Sequence, residues 1–259
     1  MHRTQTGSPA RRRRTLATAL ALPALAAGAA LALSLSTAAA PAGARAAGVS
    51  VRVEGPHGTL LPARTVALGS GTFTKDGNPA DACSRASAAG ALELATAGRW
   101  VGTWSKSLKG YFVAGVDGVS LPASGGEYWA FWIDNAPASA GICGVRPKPG
   151  DSILLFPDCY GKKCPPNAGV LGVRAPALAR VGRPVKVMVT AFADANGKPH
   201  PAAGALVRGG GASARTSAAG TARLTFAHAG RVTLEVSAPH AVRTEAPVCV
   251  AAAGASSCG

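Results

Sequence analysis

Six cysteines constrain this chain more than any other feature. Cys83, Cys143, Cys159, Cys164, Cys249 and Cys258 are even in number, and all of them follow an N-terminal leader. In that leader Arg11–Arg14 is a basic block and Leu16–Leu35 is an Ala- and Leu-rich run broken by Pro23. Ala44-Arg45-Ala46 then forms a small-x-small exit. Basic head, apolar stretch and small-residue exit are the three parts of a secretory signal peptide, here residues 1–46. Ala38-Ala39-Ala40 is an earlier candidate cut. Left uncleaved, an apolar run of about 20 residues would be a membrane anchor, so a membrane partner is expected only in that case.

Export together with an even cysteine count implies disulfides. Many pairings are open to six cysteines. Cys83–Cys143, Cys159–Cys164 and Cys249–Cys258 are favoured because each stays inside one module or tail. In the chain-entropy picture the first is worth about 4 kcal/mol and the short loops roughly 2–3 kcal/mol each. The rival for Cys159 and Cys164 is zinc. No second closely spaced cysteine pair or nearby histidine completes a tetrahedron, so neither a metal nor a cofactor is expected.

Composition narrows the architecture. Hydrophobic residues are 47% of the chain and charged residues only 15%, with 33 Gly and 19 Pro. That suffices for a packed core but suits turn-rich β modules better than a doubly wound α/β enzyme, which needs several long helices. A first module is expected over 49–160. Val49 to Glu54 alternates apolar and polar, Gly55-Pro56-His57-Gly58 turns, and Arg64 to Leu68 returns. The Ala-rich run from Asp81 to Ala97, closed by Gly98, predicts the one helix. Trp100–Trp104, Tyr111–Val116, Tyr128–Ile133 and Ser152–Phe156 predict further strands, divided by Lys109-Gly110, Gly125-Gly126 and Lys148-Pro149-Gly150-Asp151. Asp134-Asn135 is expected to shape a turn, and Asp151 to stabilise one.

Tyr111-Phe112-Val113-Ala114-Gly115-Val116-Asp117-Gly118, Tyr128 to Asn135 and Pro149-Gly150-Asp151-Ser152-Ile153, in that order, resemble the transcobalamin-like C-terminal domain. That bacterial family of unknown function is similar to the β domain of vitamin-B12 carriers. The resemblance covers about 110 residues. It implies an α+β, β-grasp-like (ubiquitin-like) fold, a sheet with a helix on one face, and supplies no catalytic site. B12 carriers add a large helical barrel for which this chain has no room, so cobalamin is not an expected ligand.

Eleven of the 13 aromatic residues precede residue 161. Alternation sends Trp129, Phe131 and Ile133 to the helix side, with Phe112, Ala114 and Val116 beside them. Tyr111, Val113, Tyr128 and Trp132 then fall on the far face, extended by Trp104. An exposed aromatic face marks an interface. Trp104, Tyr111, Tyr128 and Trp132 are therefore the candidate ligand-binding residues, unless a loop or the second module covers them.

Residues 161–169 are expected to be a stiff linker, 170–251 a second module and 252–259 a tail. Val170–Ala175, Val185–Phe192, Ala205–Arg208, Thr221–Phe226 and Arg231–Ser237 are short strands separated by Gly-rich turns, the pattern of an all-β sandwich. Gly204-Ala205, Thr216 to Ala222 and Ala229 to Leu234 resemble bacterial immunoglobulin-like repeats of surface proteins. The core Trp and paired cysteines of antibody-type domains are missing.

Six of the 27 Lys and Arg residues and none of the 12 acids lie in 1–46, so the processed chain carries +9. Residues 169–259 hold 10 basic residues against 3 acidic ones. Outside a cell such charge meets anionic wall polymers. The basic residues are dispersed along the module, and nothing in them forms a nucleic-acid motif. Of the processed chain's histidines, His57, His200, His228 and His240, each sits in a turn or beside proline. No GxSxG, HExxH or phosphate-loop pattern stands in a suitable context, so no enzyme is expected. Two functions compete. One is an exported binding module that offers its aromatic face to a small molecule, glycan or surface protein. The other is a structural cell-envelope protein whose modules pack together without a small ligand.

Overall fold

Alternating apolar residues build most of the structure. The computed structural model describes residues 48–122, 126–161, 164, 169–192 and 197–258. The signal segment 1–46 lies outside the described residues, as does most of the expected linker.

In the first module β1 (Val49–Glu54), β2 (Thr59–Val66), β3 (Thr72–Phe73) and β4 (Cys83–Ser84) precede α1 (Ala88–Ala95). Then come β5 (Trp100–Ser105), β6 (Gly110–Val116), β7 (Val119–Ser120), β8 (Glu127–Ile133), β9 (Ala136–Pro137) and β10 (Ser152–Cys159). They form a five-stranded sheet in the order β2-β1-β10-β8-β9, a three-stranded sheet β5-β6-β7 and a pair β3-β4. β1 runs parallel to β10, and the other pairs of the large sheet are antiparallel.

The expected helix is cut to half its length. Cys83 pairs with Phe73 in β3-β4 and is bridged to Cys143, which holds residues 83–84 extended. Ser87 is the N-cap, accepting from Gly90 N at 3.3 Å. The amides of Ala88 and Ala89 donate to Val145 O and Ile142 O, so the disulfide-tied loop satisfies the helix start. Ala97 takes the left-handed conformation at the C-terminal end (φ 52°), and Gly98 N donates to Glu93 O at 2.8 Å. Ala88, Ala89, Ala91, Leu92 and Ala95 are buried against Val51, Val53, Trp100, Trp129, Ile153 and Leu155.

The α+β β-grasp-like expectation is thereby corrected. Among the described residues there are nineteen strands and only this eight-residue α-helix. Strands expected in one sheet are divided among three. The first module is predominantly β, because a crosslinked strand occupies the sequence that would have extended the helix.

In the second module β11 (Val170–Arg174), β13 (Pro184–Phe192), β14 (Pro199–Pro201) and β17 (Thr221–Thr225) form one sheet, with β12 (Leu178–Arg180) contributing elsewhere. β13 is central, pairing with β11 along one edge and with β17 and β14 along the other. β12, β19 (Thr244–Ala251), β18 (Gly230–Ser237), β15 (Leu206–Gly209) and β16 (Ala212–Arg215) form the second sheet in that order. Val187, Val189 and Leu224 of one sheet meet Val207, Leu234, Val236, Val248 and Val250 of the other. This is an all-β sandwich, compatible with the immunoglobulin-like expectation. β12, β14, β16 and β19 are additions to the expected strands: three are too short to show a period, and β19 carries Glu245 and Pro247 among its apolar residues.

Both modules belong to one compact unit, Gly43–Gly259. Three disulfides are present: Cys83–Cys143, Cys159–Cys164 and Cys249–Cys258, with Cα separations of 5.2, 5.7 and 5.3 Å. Three such bridges place the folded chain in an oxidising environment. Among the described residues no helix is long and apolar enough to cross a membrane.

Candidate functional site

The two faces of the large sheet separate the four candidate aromatics. Val51, Val53, Trp129, Ile153 and Leu155 point toward the helix. On the other face, register aligns Arg52, Leu154 and Trp132 in one row across β1, β10 and β8. Ala130, Trp132, Leu154 and Phe156 are buried there together with Val170, and Tyr128, Phe192 and Val242 pack around them. Val170, Phe192 and Val242 come from the second module, so this face is the seam between modules. Trp132 keeps only 8% of its surface exposed and meets Phe156 edge-on at 5.7 Å.

Tyr111 and Trp104 lie elsewhere. Tyr111 is 2% exposed and packs in the helix-side core, edge-on to Trp100 at 6.0 Å and to half-buried Trp104 at 5.1 Å. Its hydroxyl donates to Asp76 Oδ1 at 2.9 Å and accepts from Lys75 N at 2.8 Å, and burial pushes its pKa up. Lys75 Nζ and Trp100 Nε1 both donate to Glu93 Oε2, at 3.0 and 2.7 Å, fixing the cluster to the helix. The expected facing of β6 is inverted from Tyr111 to Ala114 and kept at Val116, which is buried in the helix-side core. Phe112 (46% exposed) and Ala114 point outward, while Tyr111 and Val113 point in. β6 belongs to a separate sheet from β8, so its phase is independent, and the register shift between Val101↔Gly115 and Gly102↔Val113 returns Val116 to the buried side. The structure thus does not assemble Trp104, Tyr111, Tyr128 and Trp132 into one exposed face. Two lie in the helix-side core and two along the seam.

An ion cluster closes one end of the seam. Arg52 Nη1 donates to Glu54 Oε1 at 2.6 Å and to Arg243 O at 2.7 Å. Arg243 Nε stands 3.3 Å from Glu54 Oε2, and Thr59 Oγ1 donates to Glu54 Oε2 at 3.0 Å. Glu54 is 2% exposed. Burial pushes its carboxyl above the usual range against the pull of Arg52, and burial likewise lowers Arg52. No sequence signal separates these residues from an ordinary solvated strand face. Arg52 and Glu54 occupy the polar phase of β1, and only the second module makes that phase interior.

Beside the cluster lies a cleft of about 330 Å³, lined by Glu54, Glu127, Phe156, Asp158, His240 and Arg243 among others. Tyr128 Oη donates to Asp158 Oδ2 at 3.1 Å, and its ring stands 6.0 Å from that of exposed Tyr160. Burial and the Asp158 charge raise the Tyr128 pKa. The Cys159 sulfur at the rim is held in a disulfide and is not a nucleophile. Chemically the cleft offers carboxylates, one imidazole and one guanidinium already engaged with Glu54. It can receive a small hydrogen-bonding group.

The smaller sequence motifs stand where they were expected. Asp134 and Asn135 both take positive φ (49° and 65°) between the paired Ile133 and Ala136, a tight hairpin turn. Asp151 Oδ2 accepts from Lys148 N at 2.7 Å across the Pro-Gly-Asp turn.

No family model matches the chain, and no curated protein matches it. Among solved structures, a proposed metal-binding protein from Ruminococcus gnavus ATCC 29149 overlaps 44% of this chain and 98% of its own. The identity is 15% and the TM-score 0.32. The Arg-specific cysteine proteinase gingipain R overlaps 38% of this chain and 22% of its own, at 18% identity and a TM-score of 0.26. A β-glycosidase from Bacteroides vulgatus overlaps 48% of this chain and 21% of its own, at 14% identity and a TM-score of 0.25. Overlaps this loose carry no activity, ligand or metal to the present chain.

Proposed function

We propose that this is an exported, non-catalytic structural protein of the cell envelope, whose two modules act as one disulfide-braced body. The observation that supports it most is the fate of Trp132. The ring on which an exposed binding face would depend is packed against Val170, Phe192 and Val242 of the second module. An aromatic face used to join modules is withdrawn from ligands. The three disulfides support export, since such bridges persist only where thiols are not continually reduced.

Fractionating cells that express the full chain tests this reading. The protein is expected in the envelope or medium, lacking its first 46 or so residues, with all six cysteines oxidised. Recovery of the whole chain from the cytosol with six free thiols would overturn it.

A further inference from the structure

Among the described residues, one outer face of the sandwich carries charge of a single sign. Along β11, β13 and β17, alternation turns Val187, Val189, Ala222 and Leu224 inward and Arg174, Lys186, Met188 and Arg223 outward, where all four are exposed. Register sets Lys186 opposite Arg223, and Met188 between Arg174 on one side and Thr221 on the other. Cross-strand neighbours have Cβ atoms about 5 Å apart and diagonal ones roughly 7–8 Å. Three cations therefore crowd a patch three strands wide. Arg180 and Arg183 extend it, rimming a hollow of about 460 Å³ that Lys186 also borders.

Nothing anionic among the described residues offsets them. Among the described residues no carboxylate pairs with Arg174, Arg183, Lys186 or Arg223. The module's described acids, Glu235 and Glu245, both lie on the opposite sheet, where Glu235 pairs with Arg208 at 2.8 Å. Among the described residues one sheet thus carries mixed charge and the other cations alone. Like charges directly opposite on a sheet are destabilising, and packing does not require them, since exposed positions accept any polar residue. A surface that keeps this repulsion is matched to a counter-charge repeating at similar spacing.

We infer that the outer face of the β11–β13–β17 sheet is a docking track for a linear envelope polyanion bearing phosphodiester charges. The inference rests on the envelope function proposed above and names the partner's chemistry. Arginine forks meet phosphate oxygens in pairs, and Lys186 adds a point charge. Exposed Met188 supplies an apolar platform for the carbon segments between phosphates. Each phosphate contact releases counterions, so affinity falls steeply with salt.

The test titrates the purified processed protein with short-chain inorganic polyphosphate at stepped salt concentrations. Arg174→Gln/Lys186→Gln/Arg223→Gln is expected to weaken low-salt binding by about tenfold or more. It also lowers the log–log salt slope by roughly 2, at ~0.7 per contact on a single-stranded polyanion. Arg208→Gln/Arg215→Gln/Arg231→Gln removes the same formal charge from the opposite sheet and is expected to bind like the parent. Equal loss in both variants would make the affinity a matter of net charge and overturn the track. The first variant is expected to melt no lower than the parent, because repulsion is relieved. A lower melting point would assign those charges to the fold and overturn the inference. Tighter binding to phosphatidylglycerol vesicles than to polyphosphate, lost in the same variant, would replace the polymer by a lipid surface. Failure of the titration leaves the envelope location standing, since fractionation tests that independently.

Discussion

The two faces of the five-stranded sheet both bury apolar side chains and are covered in different ways. The helix-side face is closed by neighbours in sequence: the 88–95 helix, the loop at Ile142–Val145 and the Cys83–Cys143 bridge. The seam face is closed by Val170, Phe192 and Val242 and sealed by the Arg52–Glu54–Arg243 cluster. The first cover is crosslinked, whereas the second depends on packing and buried charge. Period-2 alternation shows that a sheet has two faces, and it does not show what lies against each.

The crosslink gives the largest expected difference between the faces. Replacing Cys83 and Cys143 by Ala removes a bridge spanning 60 residues and is expected to cost about 4 kcal/mol, measured by denaturant unfolding. A loss as large on removing the short Cys249–Cys258 bridge would erase the contrast. On the seam side, Glu54→Gln keeps the side chain's shape and removes a charge that burial already disfavours, so it is expected to cost only about 1 kcal/mol or less near neutral pH.

That second variant has a distinctive pH dependence. Because burial raises the folded-state pKa of Glu54, the folded protein holds this proton more tightly than the unfolded chain. Its contribution to stability is complete below the unfolded carboxylate pKa and falls as pH rises through the folded value. The advantage of the parent over Glu54→Gln should therefore shrink across the acidic range as pH rises. An advantage that grows would show the pair to be a net electrostatic gain.

Two substitutions sharpen the helix side. A Cβ at Gly90 would stand 2.2 Å from the carbonyl oxygen of Arg85. Gly90→Ala, favourable by roughly 1 kcal/mol in an open helix, is expected here to cost about 2 kcal/mol. Ala97→Gly relieves a left-handed alanine (φ 52°) and is expected to gain about 0.5 kcal/mol. Calorimetry reads both, and a stabilising Gly90→Ala would refute the close approach.

What could be read in advance follows the same division. The Cys159–Cys164 and Cys249–Cys258 bridges, the Asp134-Asn135 turn, the Pro-Gly-Asp turn and the main strands of the sandwich are short-range features, and local chemistry specifies them. The helix starts later than its Ala-rich run implies because Cys83 is held extended beside Phe73 and crosslinked to Cys143, 60 residues on. The facing of Tyr111 failed because its strand belongs to another sheet. The exposure of Trp132 failed because its cover begins 38 residues later in the chain, at Val170. Each of these depends on a long-range contact that no period encodes.

All four tryptophans lie in the first module, at 100, 104, 129 and 132, so their fluorescence follows that module alone, while far-ultraviolet circular dichroism follows both. Denaturant unfolding recorded by the two signals tests the seam most directly. Coincident transitions in the parent, separating in Trp132→Ala, are the expected result. Transitions already separate in the parent, or still coincident in Trp132→Ala, would contradict a body held together through that ring.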